Sequence, residues 1–252
     1  MDKRRPVKRL IYESTPGSGQ AQAITKPSDL EHLLWVASRG QLGNRNVGVM
    51  WMLFGSGLRI NEVAQLKVSD IYWKEDRTLC NSFVIPASYT KTNKSRLAYL
   101  LAKAQRAAIT SWEQQRIDEG IFVEEFNGKT VLKYDSPLFL SKHGKGWRHL
   151  SFNAKKYITD SGEEKTTLVC ASLENLVRNI IKSAGFQDGS SHSGRRSLAT
   201  IMDRKGFDLN LIQQLLGHDN PEMTVLYIDP WMKRIETAFE KTMKNVRVPE
   251  YK

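Results

Sequence analysis

From Thr25 onward, apolar residues recur at helical spacing along most of the chain. Leu30, Leu33, Leu34 and Ala37 share one helical face, with Ser28 placed to cap it. Asn46 to Phe54 is apolar nearly all round, which predicts a deeply buried helix. Gly55-Ser56-Gly57 ends it, and Ile60 to Leu66 begins the next. The period then changes: Leu79 to Ile85 and Arg96 to Leu101 are short apolar runs either side of polar Thr90-Lys91-Thr92-Asn93-Lys94, the pattern of an antiparallel hairpin. Gln105 to Ile117 reads as a helix, and the acidic stretch Asp118 to Glu125 as a solvated face. Leu173, Leu176, Val177, Ile180 and Ile181 give Ala171 to Ala184 a clear amphipathic stripe. Asp208 caps a helix through Leu209, Ile212, Leu215 and Leu216, and Gly217 stops it. Asn220-Pro221 then opens a short helix that carries Tyr227. Beyond Asp229-Pro230, Trp231, Ile235, Ala238, Phe239 and Met243 form the stripe of a last helix. The fold class is therefore mainly α with a small antiparallel β-sheet (α+β), without an internal repeat.

Two stretches lack such patterning. Residues 1–24 read as a flexible basic arm, whose first nine residues hold five Lys or Arg against one Asp. Ser141 to Lys165 is the least regular part of the remainder. Within it, Lys142 to Lys156 contains five Lys or Arg, two His and no acid, so it reads either as a loop on a nucleic-acid backbone or as a plainly exposed loop. The whole chain of 252 residues has a net charge of +11, which points to a polyanionic partner, nucleic acid foremost. With 40% hydrophobic and 26% charged residues it is globular in composition rather than disordered. Cys80 and Cys170 form neither a disulfide framework nor a zinc spacing and are expected as reduced, buried thiols. The longest apolar run, Val47 to Phe54, is too short to span a bilayer, and no apolar signal core follows the charged N-terminus. The expected location is the cytoplasm.

Several residues could support phosphodiester chemistry. Cleaving a phosphodiester without a metal requires cations at the non-bridging oxygens, a nucleophile, and an acid for the leaving oxygen. Arginine suits the first task, since its guanidinium is always charged and its fork matches two phosphate oxygens. Arg59, in Gly57-Leu58-Arg59-Ile60-Asn61-Glu62, and Arg195, in His192-Ser193-Gly194-Arg195, are the natural pair. If the latter segment is helical, His192 and Arg195 share a face. His218 follows the Gly217 stop at a turn, and Tyr227 lies nine residues later. Taken singly, each residue has an ordinary structural explanation: Arg59 could simply pair with Glu62 one helical turn on, and Tyr227 could be core.

In this order, these segments resemble those of the tyrosine recombinase (phage integrase) family over roughly residues 25 to 245. Members carry Arg in a G-L-R-x-x-E segment, Lys in a hairpin turn, an H-x-x-R box, an L-G-H segment and a nucleophilic Tyr, matched here at Arg59, Lys91, His192 and Arg195, His218, and Tyr227. The resemblance implies the catalytic-domain fold over residues 25–252 and a site-specific recombinase for integration, excision or inversion of DNA. Tyr227 would attack the scissile phosphate to form a 3′-phosphotyrosyl bond and release a 5′-hydroxyl. Arg59, Arg195 and His218 would stabilise the phosphorane, His192 would assist proton transfer, and Lys91, or its rival Lys94, would protonate the 5′ oxygen. It further implies no cofactor, neither metal nor ATP, with duplex DNA as partner and a homotetramer on DNA joined through the C-terminal helix. The setting would be a prokaryotic nucleoid, a phage or a mobile element. Family members usually have a separate DNA-clamping domain before the catalytic one, which 24 arm residues cannot form; the chain reads as a catalytic-domain-only member or as a fragment. A non-cleaving DNA-binding regulator on the same fold, and a type IB topoisomerase or telomere resolvase, remain the alternatives.

Overall fold

The computed structural model describes residues 21–90, 93–144, 146–158 and 162–217. Helix α2 (Gly43–Phe54) is the central element, with Val49, Met50, Met52 and Leu53 fully buried. Around it pack α1 (Pro27–Ala37), α3 (Ile60–Gln65), α5 (Lys103–Asp118) and α7 (Ser193–Arg204). The short α4 (Val68–Ile71) follows α3, α6 (Ala171–Ser183) lies against α1 and α3, and α8 (Leu209–Leu216) lies against α7. None of the described helices is long and apolar enough to cross a membrane.

The all-round apolarity of 46–54 gives the buried helix it predicts, but the helix begins three residues earlier, at Gly43. Its first turn hides polar groups. Arg45 is buried, donating from Nη1 to the Leu140 carbonyl at 2.9 Å and from Nη2 to Asn46 Oδ1 at 2.8 Å. Burial lowers the Arg45 pKa to about 10. Gly43 is required there, since a Cβ would come within 2.1 Å of the Ser38 carbonyl oxygen. Helix α1 likewise starts differently from expectation: Lys26 is the N-cap and Pro27 the first residue, so the fixed φ of proline opens the helix rather than a Ser28 cap.

The predicted hairpin forms as β1 (Ser82–Ile85) against β2 (Arg96–Tyr99), antiparallel, with Ile85 opposite Arg96 and a 3₁₀ turn at Ala87–Tyr89. The β content exceeds one small sheet. Four separate two-stranded sheets occur among the described residues, the others being β3 (Val123–Phe126) with β4 (Lys129–Leu132), β5 (Ser141–His143) with β6 (Gly146–Arg148), and β7 (Asn153–Ile158) with β8 (Glu164–Val169). The acidic stretch expected as a solvated face thus runs into a strand, where Glu124 pairs with Arg77 at 3.1 Å. The stretch expected to be irregular holds two hairpins. Their strands are mostly exposed, so they show no alternation of apolar and polar residues for a reader of sequence to find.

Packing also begins before Thr25. Ile24 is buried and donates its N–H to Ser197 Oγ at 2.7 Å, while Arg196 Nη1 donates to the Ala21 carbonyl at 3.0 Å. Residues 21–24 are therefore laid along α7 and do not belong to an arm, whose residues 1–20 lie outside the described part. Cys80 and Cys170 are both free and buried, as expected.

Candidate active site

The site is assembled around the turn that ends α2. Leu58 N–H donates to the Met52 carbonyl at 3.1 Å, and Gly57 between them has φ +63°. A Cβ at Gly57 would lie 2.9 Å from Leu216 Cδ2 and 3.1 Å from Leu198 Cδ2, so glycine lets this turn approach both α7 and α8. Arg59 follows as the extended N-cap of α3. Its backbone N–H donates to Glu62 Oε2 at 2.8 Å and its Nη1 to Glu62 Oε1 at 3.0 Å. The Arg59 side chain keeps 23% of its surface exposed, and its Nε and Nη2 donate to no described residue. Among the described residues nothing bonds to that edge of the guanidinium.

Glu62 is held by a second arginine. Arg96, the first residue of β2, donates from Nη2 to Glu62 Oε2 at 2.6 Å and from Nη1 to the Leu215 carbonyl at 3.3 Å. The Glu62 side chain is only 1% exposed, and burial alone would raise its pKa. The charges of Arg96 and Arg59 and their hydrogen bonds outweigh that penalty and hold the carboxyl below its usual value. Glu62 is therefore ionised at neutral pH. Sequence reading missed Arg96. A lone arginine after a polar turn looks like any surface cation, and its one signal was a glutamate at 62 with more acceptor capacity than Arg59 can fill.

Arg195 stands in the first turn of α7. A Cβ on the preceding Gly194 would come within 2.6 Å of the Leu53 carbonyl, so α7 rests directly on the α2 backbone. Arg195 is fully buried; its Nη1 makes a short hydrogen bond to the Gly57 carbonyl and its Nη2 donates to the Leu216 carbonyl at 2.6 Å. It thus joins the turn before Arg59 to the end of α8, two residues ahead of His218. The expected arginine pair is unequal: Arg59 presents N–H groups at the surface, whereas Arg195 directs two of its own to backbone carbonyls.

His192 is the N-cap of α7 with helical backbone angles, so it lies on the face of Arg195 three residues on. Its N–H donates to Ser190 Oγ at 3.2 Å, and the residue itself is exposed. Partial burial of the ring lowers its pKa, and the positive charges of Arg195 and Arg59 lower it further against the opposing charge of Glu174. The imidazole is therefore neutral at pH 7, the form that accepts a proton.

At the end of α8, Gly217 adopts the left-handed conformation at φ 62°, and Asp208 accepts the Asn210 N–H at 2.6 Å at its start, both as the sequence pattern predicts. On the hairpin, Lys94 is exposed and its N–H donates to Thr90 Oγ1 at 3.1 Å. The structure brings Arg59, His192 and Arg195 together; Lys91, His218 and Tyr227 lie outside the described residues, as does the last predicted helix.

Comparison with known proteins settles the family. The family model described as the phage integrase family matches residues 24–234. The chain belongs to that family of tyrosine recombinases. Among its relatives, tyrosine recombinase XerC of Shewanella sp. (strain ANA-3) is 26% identical over 225 residues, covering 86% of this chain and 62% of that protein. Tyrosine recombinase XerD of Listeria innocua is 27% identical over 239 residues, covering 92% of this chain and 66% of its own length. This phage-integrase-family chain thus spans 62% to 66% of the length of these curated relatives. Similar folds include the XerA recombinase (TM-score 0.56, 19% identity, 92% of this chain and 68% of that one). The XerH site-specific recombinase, bound to its palindromic difH substrate after cleavage, is also similar (TM-score 0.56, 21% identity, 86% of this chain and 52% of that one). The tyrosine recombinase catalytic-domain fold expected from the sequence is therefore the fold observed.

Proposed function

We propose that the chain cuts and rejoins duplex DNA at specific sites through a covalent 3′-phosphotyrosyl intermediate on Tyr227. One observation carries the reading. Arg59, whose Nε and Nη2 donate to no described residue, sits beside a neutral histidine and a buried second arginine, and the segment leading to His218 is tied to them by Arg195. Such a place attracts a phosphodiester: Arg59 offers two directed donors, and Arg195 adds field without competing for the same oxygen.

Residue roles follow from the chemistry each group can perform. Arg59 binds the non-bridging oxygens and strengthens that contact as charge builds in the phosphorane. Neutral His192 accepts the proton of the attacking phenol or holds it nearby. Lys91, with Lys94 as the rival, protonates the leaving 5′ oxygen, and His218 adds a hydrogen bond to the transition state. The phosphotyrosine conserves the bond energy, so the rejoining step consumes no ATP. Relatives described as recombinases support this reading, as do the excess of positive charge and the basic residues of β5 to β7. The working form is a homotetramer on two DNA sites, joined through residues 231–252, in the cytoplasm at the nucleoid.

The test is covalent trapping on nicked duplexes taken from the DNA flanking the gene. The wild-type chain forms an adduct that survives denaturation, and Tyr227→Phe forms none. Tight binding without an adduct in the wild type would instead identify a regulator that binds without cutting.

A further inference from the structure

We propose that Arg96 is a positioning residue for this site: it shares the Glu62 carboxylate with Arg59 and so keeps the Arg59 guanidinium available to a phosphate. The inference rests on the cleavage reading above and adds a residue to it.

Glu62 alone would neutralise Arg59. The carboxylate is buried, it lies one helical turn from Arg59, and it already takes both the backbone N–H and Nη1 of that residue. In a poorly hydrated setting such a pair closes on itself, and its field at a neighbouring phosphate is small. Arg96 changes the balance. It makes the shorter of the two ion pairs to Glu62, 2.6 Å against 3.0 Å, at the oxygen that Arg59 Nη1 does not use. Two arginines over one carboxylate leave one net positive charge, and only Arg59 of the two has an open edge; the Arg96 side chain is 9% exposed.

Its placement is equally specific. Arg96 Nη1 reaches the Leu215 carbonyl at 3.3 Å, and a Cβ on Gly217 would come within 2.3 Å of Arg96 Cδ. One side chain thus ties the hairpin that carries Lys91 to the N-cap that carries Arg59 and to the turn before His218. Among the described residues, the buried Arg96 Nε has no hydrogen-bond partner.

The full chain is compared with Arg96→Gln, Arg96→Lys and the double variant Glu62→Gln/Arg96→Gln. Two readouts are taken: the rise in Tm produced by inorganic phosphate without DNA, and the rate of adduct formation on nicked duplex with affinity measured alongside. Arg96→Gln is expected to lose the phosphate-induced rise and to slow adduct formation by about 10- to 100-fold, the scale of a misplaced catalytic group, while retaining duplex affinity. Removing the carboxylate as well restores both readouts in the double variant, because Arg59 is no longer neutralised. Arg96→Lys, which keeps the charge, retains the phosphate-induced rise; it carries the test if Arg96→Gln does not fold. Equal impairment of the single and double Gln variants would make Arg96 a structural bracket and overturn the proposal, as would a wild-type chain that phosphate does not stabilise. A wild type that phosphate stabilises but that forms no adduct would sink the cleavage reading, and the phosphate arm would still decide the role of Arg96.

Discussion

At the scale of the residue, the site depends on how charge is distributed among few groups. Arg195 is a buried cation whose Nη1 and Nη2 donate to the carbonyl oxygens of Gly57 and Leu216. Arg195→Ala leaves two buried carbonyls without donors, at about 1–3 kcal/mol each. Urea unfolding of that variant should show a loss of about 2–6 kcal/mol, and an unchanged midpoint would mean that the carbonyls find other donors. His192 gives a pH dependence. Its pKa is lowered from the ordinary value of 6.5, so the neutral form persists to more acidic pH than a free histidine allows. If that form accepts the tyrosine proton, the rate of adduct formation falls toward acid with a midpoint below 6.5, and His192→Ala lacks that acidic limb. A limb centred above 6.5 would assign the titration to another group.

At the scale of the element, the site hangs on glycines that allow backbones to approach. Gly217 combines a left-handed φ of 62° with a Cβ position 2.3 Å from Arg96 Cδ. Gly217→Ala should therefore cost about 1–3 kcal/mol in thermal or urea unfolding, strain and collision together. A neutral effect would show that the end of α8 is free to shift. This part of the fold was legible from sequence: Asp208 and Gly217 bracket α8, the stripe of Leu173 to Ile181 marks α6, and the polar turn from Thr90 marks the β1–β2 hairpin. Elements whose signal lies in tertiary contact were not. The first turn of α2 hides Arg45 against the Leu140 carbonyl, and residues 43–45, with a glycine and a buried arginine, look like a loop in sequence. The exposed β7–β8 hairpin has no buried face to impose a period of two; its base is held by Asn61, which donates from Nδ2 to the Leu168 carbonyl at 3.0 Å and accepts the Cys170 N–H at 3.2 Å. Of the site itself, the motif order exposed Arg59, His192 and Arg195, whereas the burial of Arg195 and the sharing of Glu62 with Arg96 required three dimensions.

At the scale of the whole molecule, the charge of +11 and the family fold point to a long polyanion as the partner. Duplex binding should weaken steeply with salt, as the logarithm of affinity falls by about 0.9 for each phosphate contact per logarithm of salt concentration. A flat salt dependence would contradict a backbone-dominated interface. One covalent bond, however, decides the function. It is tested most directly by digesting the trapped protein–DNA adduct and locating the attachment by mass spectrometry, together with the chemistry of the freed DNA end. Attachment is expected at Tyr227 through a 3′-phosphate, with a free 5′-hydroxyl on the released strand. Attachment at another residue, or a 5′-phosphoryl linkage to protein, would contradict it.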